Sequence, residues 1–234
     1  MSGGWLTAGE WAVIALSLRV SLLAVAVTLP ISYALAWVIA RRRFPGRMLL
    51  DAAIHLPLVL PPVVTGWLLL LAFGRNGPIG SWLDEAFGIT LVFQWTGAAL
   101  AAAVMALPLM VRAMRLSIEA VDRKLVGAAR TLGASRWHAF LTITLPLSLP
   151  GILAGATLGF ARSLGEFGAT ITFAANIEGQ TRTLPLAIYT GLQVPGSEDA
   201  VARLAVISIV LSLGALLVSE WLVRRSAGGR AHVL

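Results

Sequence analysis

The chain has no cysteine. Disulfides, thiolate nucleophiles and cysteine-ligated metals are therefore excluded. Its histidines are His55, His138 and His232. They are too few and too scattered for a metal site of three or four ligands, so no bound metal is expected. Charge is scarce: Asp, Glu, Lys and Arg make up 12% of the residues, against roughly 25% in a soluble domain. Nothing matches the phosphate-cradling pattern G-x-x-x-x-G-K-[ST], so no P-loop nucleotide site is expected in this chain. The opening MSGGWLTAGEW lacks the basic start of a secretory leader, and the apolar run after it is too long for one. That run is expected to be a retained span.

What is present is apolar. The chain is 58% hydrophobic over 234 residues, with a net charge of +7 and a mean hydropathy of +0.84. A basic balance can indicate nucleic acid. Here, however, the basic residues gather at the ends of apolar runs, the pattern of an integral membrane protein in a lipid bilayer. No nucleic-acid partner is expected.

A membrane helix needs about 20 mostly apolar residues. Five runs qualify, at about 11–40, 48–73, 93–114, 147–167 and 203–221. The first contains Pro30, where a kink is expected, and the second contains Pro57, Pro61 and Pro62. The expectation is an all-α membrane domain over residues 1–234, with a long polar loop at about 122–146. Thr183 to Val194 is apolar but only about half the length of a span. It reads as a re-entrant or interfacial helix, tolerated at depth only under cover of other protein.

Basic residues orient the spans. Arg41, Arg42, Arg43 and Arg47 follow the first run. Arg112, Arg115, Arg123, Lys124, Arg130 and Arg136 lie around the connection from the third to the fourth. Arg224, Arg225 and Arg230 follow the fifth. The other connections hold only Arg75 and Arg182, with Glu10, Asp84, Glu85, Glu178, Glu198 and Asp199. The N-terminus is expected outside, and the 122–146 loop and the C-terminus in the cytoplasm.

That loop has helical spacing. Leu125, Ala128, Ala129 and Leu132 fall at i, i+3, i+4, i+7 and make one apolar stripe. Gly133 is a natural stop. Ser135 can cap a second short helix with Trp137, Phe140 and Leu141 as its stripe, and Pro146 suits the first turn of the next span. Such a stripe can lie in a groove on a partner protein, or pack back on its own bundle. A DNA-reading helix-turn-helix would need a third helix to hold it.

The spacing Ala128-Ala129, Gly133, Ile143, Leu145-Pro146 resembles the EAA loop of ABC importer permeases, with Gly127 where the family motif usually has Glu. Glycine offers no charge for a salt bridge from this position to an ATPase, and the docking stripe does not depend on it. The likeness extends from about Leu16 to Trp221. ARRRFPGR, LPLVLPPVVTGWLLLLAFGRNGPIG, ARSLGEFGATITFAANIEG and TRTLPLAIYTGLQ are similar to the molybdate-type permease subunits. The resemblance implies a type I ABC importer permease of the bacterial inner membrane, working as a homodimer by alternating access. It implies two copies of a partner ATPase carrying ATP and Mg, and an external oxyanion-binding protein. Gly127, Ala128, Ala129, Leu132, Gly133, Ser135 and Trp137 would couple to the ATPase. The chain itself would hold no cofactor and perform no catalysis. Sulfate, thiosulfate or tungstate are the rival substrates. A membrane enzyme would need a nucleophile with its base, or a metal cluster, within the spans, and neither is visible.

Ionisable residues inside spans are functional candidates. Arg162 and Glu166 share a helix face at i, i+4. They can attract a dianion, form part of an outer gate, or hold the GEFG corner as a structural pair. Pro61, Pro62 and Thr65, in PPVVTG, are candidates for lining the pathway through a broken helix, or make a simple packing kink. Arg19 is expected to snorkel or to meet a neighbouring helix. Asp51 and His55 can pair with each other or with loop arginines. Gly151, Gly155, Gly159 and Ser163 form a small-residue ridge for close helix approach, conceivably at a dimer axis.

Overall fold

Prolines and caps decide where this chain's helices begin and bend. A computed structural model describes residues 5–228; His232 and Arg230 lie outside the described residues. α1 (Ala8–Arg41) opens on a reciprocal cap. The Glu10 N–H donates to Thr7 Oγ1 at 3.2 Å, and the Thr7 N–H to Glu10 Oε2 at 2.7 Å, satisfying donors that a helix start leaves free. Pro30 lies within α1 without ending it.

The run expected as one span at 48–73 is two helices, α2 (Arg47–Val59) and α3 (Pro62–Phe73), bent by 116°. Two adjacent prolines remove two ladder donors and push the residues before them out of the helical region. Leu60 and Pro61 accordingly sit at ψ 144° and 135°. α4 (Pro78–Phe87) follows, then α5 (Trp95–Ala120), α6 (Arg123–Thr131) and α7 (Arg136–Ala139). A π turn at Phe140–Thr144 leads into α8 (Leu145–Leu164). α9 (Gly168–Phe173), α10 (Leu184–Gly191) and α11 (Glu198–Gly228) complete the order.

The helix expected from about 147 in fact starts at Arg136 and runs unbroken to Leu164. Pro146 sits in the first turn of α8, as its spacing suggests, but that turn continues directly from α7. The π turn explains this. The Leu145 N–H reaches the Phe140 carbonyl, so the ladder is already widened where the proline has no donor to offer.

Among the described residues, four helices are long and apolar enough to cross a membrane: Ala8–Arg41, Trp95–Ala120, Arg136–Leu164 and Glu198–Leu222. The bent pair makes a fifth if it is counted as one span. α5 is the central helix, packed chiefly against α1 and α8. Met110, Met114 and Ile118 from α5 meet Ala36 and Ile39 of α1, all fully buried.

The glycine ridge of α8 faces α5 of the same chain, not a dimer axis. A Cβ on Gly159 would lie 2.5 Å from Met110 Sδ, and one on Gly155 would lie 3.1 Å from Met114 Cε. Gly159→Leu is therefore expected to destabilise the bundle by roughly 1–3 kcal/mol through overpacking, read as a lower midpoint of thermal unfolding in detergent. Gly214, with open space around a Cβ, should tolerate alanine without loss.

α9 and α10 cover the end of the bundle opposite the arginine-rich one. The half-length apolar segment is α10. Leu184 and Leu186 are fully buried, and the Leu184 N–H donates to Ser17 Oγ of α1 at 2.7 Å. Arg203 at the base of α11 donates from Nε and Nη2 to Glu10 Oε1, at 3.0 and 2.8 Å, and ties the first and last helices together.

Candidate functional site

At the arginine-rich end, α6 and α7 form a hairpin whose geometry follows from its capping residues. The Asp122 carboxylate caps α6 through the Lys124 N–H at 2.8 Å. At the other end Gly133 takes φ +93°, a conformation that favours glycine. The Ala134 N–H closes onto the Ala129 carbonyl at 3.0 Å, which is the Schellman stop. Ser135 Oγ then accepts from the His138 N–H at 3.1 Å and starts α7.

The hairpin root is fastened by reciprocal arginines. Arg41 donates to the carbonyls of Ile118 and Val121 at 2.8 and 3.1 Å, and Arg123 to that of Ala40 at 3.4 Å. Each thus serves carbonyls at a helix end, that of Ile118 also accepting from the Val121 N–H at 3.2 Å. Phe140, placed by its spacing on the free stripe, is instead half-buried. Its ring meets those of Tyr33, Trp37 and Trp137 at 6.1, 6.3 and 5.9 Å.

The rest of the stripe is uncovered. Leu132 is 89% exposed and Trp137 75%; Leu125 and Leu141 are about half exposed. Gly127, Ala128 and Ser135 are also exposed, while Ala129 is half-buried. The bundle does not take up this stripe, so it stands as a free apolar face of the kind that docks on a groove. A Cβ on Gly127 would meet nothing within 4 Å. The position thus accepts a larger residue without strain, and glycine here is not demanded by packing.

The second group lies at the opposite end. Arg162 and Glu166 form an ion pair through Nη1 and Oε2, with Glu166 only 2% exposed. The other carboxylate oxygen accepts from the Ala169 N–H at 2.8 Å, capping α9. Glu166 is turned into the fold, ion-paired through one oxygen and hydrogen-bonded through the other, which favours the structural reading of the pair. Arg19 stacks on the Trp95 ring at 3.7 Å, a partner helix rather than open solvent.

The structure brings the PPVVTG turn onto this same corner. A Cβ on Gly66 would lie 2.7 Å from the Ala169 carbonyl oxygen, and one on Gly168 would lie 2.7 Å from Pro62 Cβ. Gly66 therefore serves close packing of α3 on α9, not flexibility. Thr65 is buried and its hydroxyl has no protein partner. Pro61 and Pro62 are exposed. The broken helix, Thr65 and the Arg162–Glu166 pair thus converge around α9.

The expectation that Asp51 pairs with His55 or with a loop arginine is met by both: Arg115 holds Asp51 at 2.9 Å and Glu119 at 2.9 Å, with His55 Nδ1 beside Asp51 at 3.4 Å. Only the i, i+4 members of this cluster have a local signal. The Asp51–Arg115 and Glu10–Arg203 links, like Tyr33 Oη to Ser148 Oγ at 2.9 Å, depend on which helices become neighbours.

A multi-pass helical bundle whose connecting hairpin carries an exposed apolar face is the architecture of a type I ABC importer permease. The solved structure of a bacterial ABC transporter for the import of the acidic polysaccharide alginate shares the fold. It superposes with a TM-score of 0.74 over 94% of this chain and 81% of that one, at 19% identity. The chain belongs to the family described as binding-protein-dependent transport system inner membrane component, whose model matches residues 28–228. It is therefore a multi-pass transport permease. It is 60% identical to the molybdenum transport system permease protein ModB of Escherichia coli K12, over 96% of this chain and 99% of that protein. It is 40% identical to the sulfate transport system permease protein CysT of the same organism, over 85% of this chain and 70% of that protein.

Proposed function

We propose that the chain is the membrane subunit of an ATP-driven molybdate importer. The observation that carries this reading is the 60% identity across nearly the whole length of a molybdenum permease, against 40% over a shorter match for the sulfate one. Two copies form the pathway, in the bacterial inner membrane, with the N-terminus outside and the α6–α7 hairpin in the cytoplasm. Leu132, Trp137 and the flanking Gly127, Ala128, Ala129, Gly133 and Ser135 seat in a groove of a partner ATPase. Two such ATPases bind ATP and Mg. An external binding protein delivers the oxyanion.

ATP drives alternation only through its different affinity for the two packings of the assembly. The permease need not hold the dianion tightly, because selectivity can reside in the binding protein. Pro61 and Pro62 face the path beside α9, Thr65 lies buried behind them, and Arg162 with Glu166 keeps that corner in shape.

Cells with and without the chain should differ in uptake of labelled molybdate at trace concentration under excess sulfate. A fall of roughly tenfold or more on deletion is the expected result. Unchanged molybdate uptake with lost sulfate, thiosulfate or tungstate uptake would overturn the substrate and leave the transport class intact.

A further inference from the structure

A groove of about 950 Å³ opens between α1 and the α6–α8 hairpin, within the size range of ligand-binding cavities. Its two ends differ in chemistry. Leu29, Pro30 and Ile152 line the deep part. Leu29 precedes Arg41 by twelve residues, about 18 Å along a helix, and so lies well inside the apolar run. The rim carries Arg41, Arg42, Arg123, Arg130 and Arg136, and no carboxylate lines the groove among the described residues. Arg41 and Arg123 are occupied by backbone carbonyls, and Arg42 lies 5.5 Å over the Trp37 ring. Arg130 and Arg136 have no acidic partner among the described residues.

We propose that this groove binds one anionic phospholipid, its phosphate among Arg42, Arg130 and Arg136 and an acyl chain over Leu29, Pro30 and Ile152. The inference rests on the helices spanning a bilayer and on nothing about the transported substrate. Basic pockets between membrane helices, next to an apolar floor, suit an anionic headgroup. Other occupants match only half of the groove. A second copy related by a two-fold axis would bring its own arginine-rich end to this end, setting like charges together. A soluble ATPase can touch Leu132 and Trp137 but cannot reach hydrocarbon depth. A small free anion satisfies the arginines and leaves the floor uncovered.

The test is native mass spectrometry of the full-length chain, released from mixed micelles of phosphatidylglycerol and phosphatidylcholine with matched acyl chains. The wild type is expected to keep one phosphatidylglycerol per chain, with a preference of roughly tenfold, and to keep it in excess inorganic phosphate. Arg130→Gln with Arg136→Gln is expected to lower the preference to about twofold or less. Both side chains are exposed, so the fold is not at stake. Ala34→Trp, on the groove wall, should expel lipid of either kind while Arg130 and Arg136 remain. Equal retention of both lipids, an unchanged preference in the double variant, retention in Ala34→Trp, loss of the lipid on dimerisation, or displacement by phosphate would each overturn the proposal.

Discussion

Leu132→Asp is expected to cut ATP-driven uptake by roughly 30-fold or more, with no change in the thermal stability of the purified permease. The two halves of that expectation have separate physical origins. Leu132 is 89% exposed, so a carboxylate there is solvated in the free subunit and disturbs no internal contact. On docking, the same carboxylate would have to be buried against an apolar groove. A hot-spot anchor contributes about 2 kcal/mol or more, which is roughly a 30-fold change in affinity, and an unpaired buried charge adds to it. Uptake, ATPase stimulation and a melting curve should be measured on the same preparation. Normal uptake in this variant would remove the hairpin from the docking role. Loss of uptake together with a lowered melting temperature would show that Leu132 is structural after all.

Removing one partner of the Arg162–Glu166 pair is expected to harm the protein more than removing both. Glu166→Ala strips the cap from α9 and leaves a guanidinium with no counter-charge in a largely enclosed corner. Breaking a buried pair in this way costs about 3–5 kcal/mol, and the lower end applies because a quarter of the Arg162 side chain is exposed. Arg162→Ala strands a carboxylate that is 2% exposed and should be at least as severe. The double variant removes both charges and loses only the cap and some packing. It should recover about 1–2 kcal/mol relative to either single change. The check is a double-mutant cycle of thermal unfolding, run beside uptake. Strict additivity would dissolve the pair. Full stability with abolished uptake in Arg162→Ala would return the arginine to the transport path.

The hairpin was legible because every signal in it is local. Gly133 and Ser135 mark the turn between two short helices by their own backbone chemistry, and Leu125 and Leu132 declare a face by spacing alone. The bent pair α2–α3 was half legible. Pro61 and Pro62 announce a break, but a 116° turn rather than a mild kink depends on α3 finding a seat on α9. The glycine ridge of α8 was recognised as a packing surface, yet nothing in the residues Gly151, Gly155 and Gly159 says that Met110 and Met114 of α5 fill it. The same limit left open which of the loop arginines meets Asp51, a place that Arg115 takes. Its partner Asp51 is 64 residues away, and only the assembled bundle makes them neighbours. Phe140 misled for a further reason. Its spacing assigned it to the free stripe, whereas the aromatic rings of α1 draw it in.

The π turn at Phe140–Thr144 joins α7 to α8 with no loop between them, so residues 136–164 are one continuous rod, about 43 Å long. A slack tether would let the outer segment swing while the inner one stayed still. A rod does not. A pull on Trp137 at one tip is passed along the shaft toward Arg162 near the other, less whatever bending the widened turn takes up.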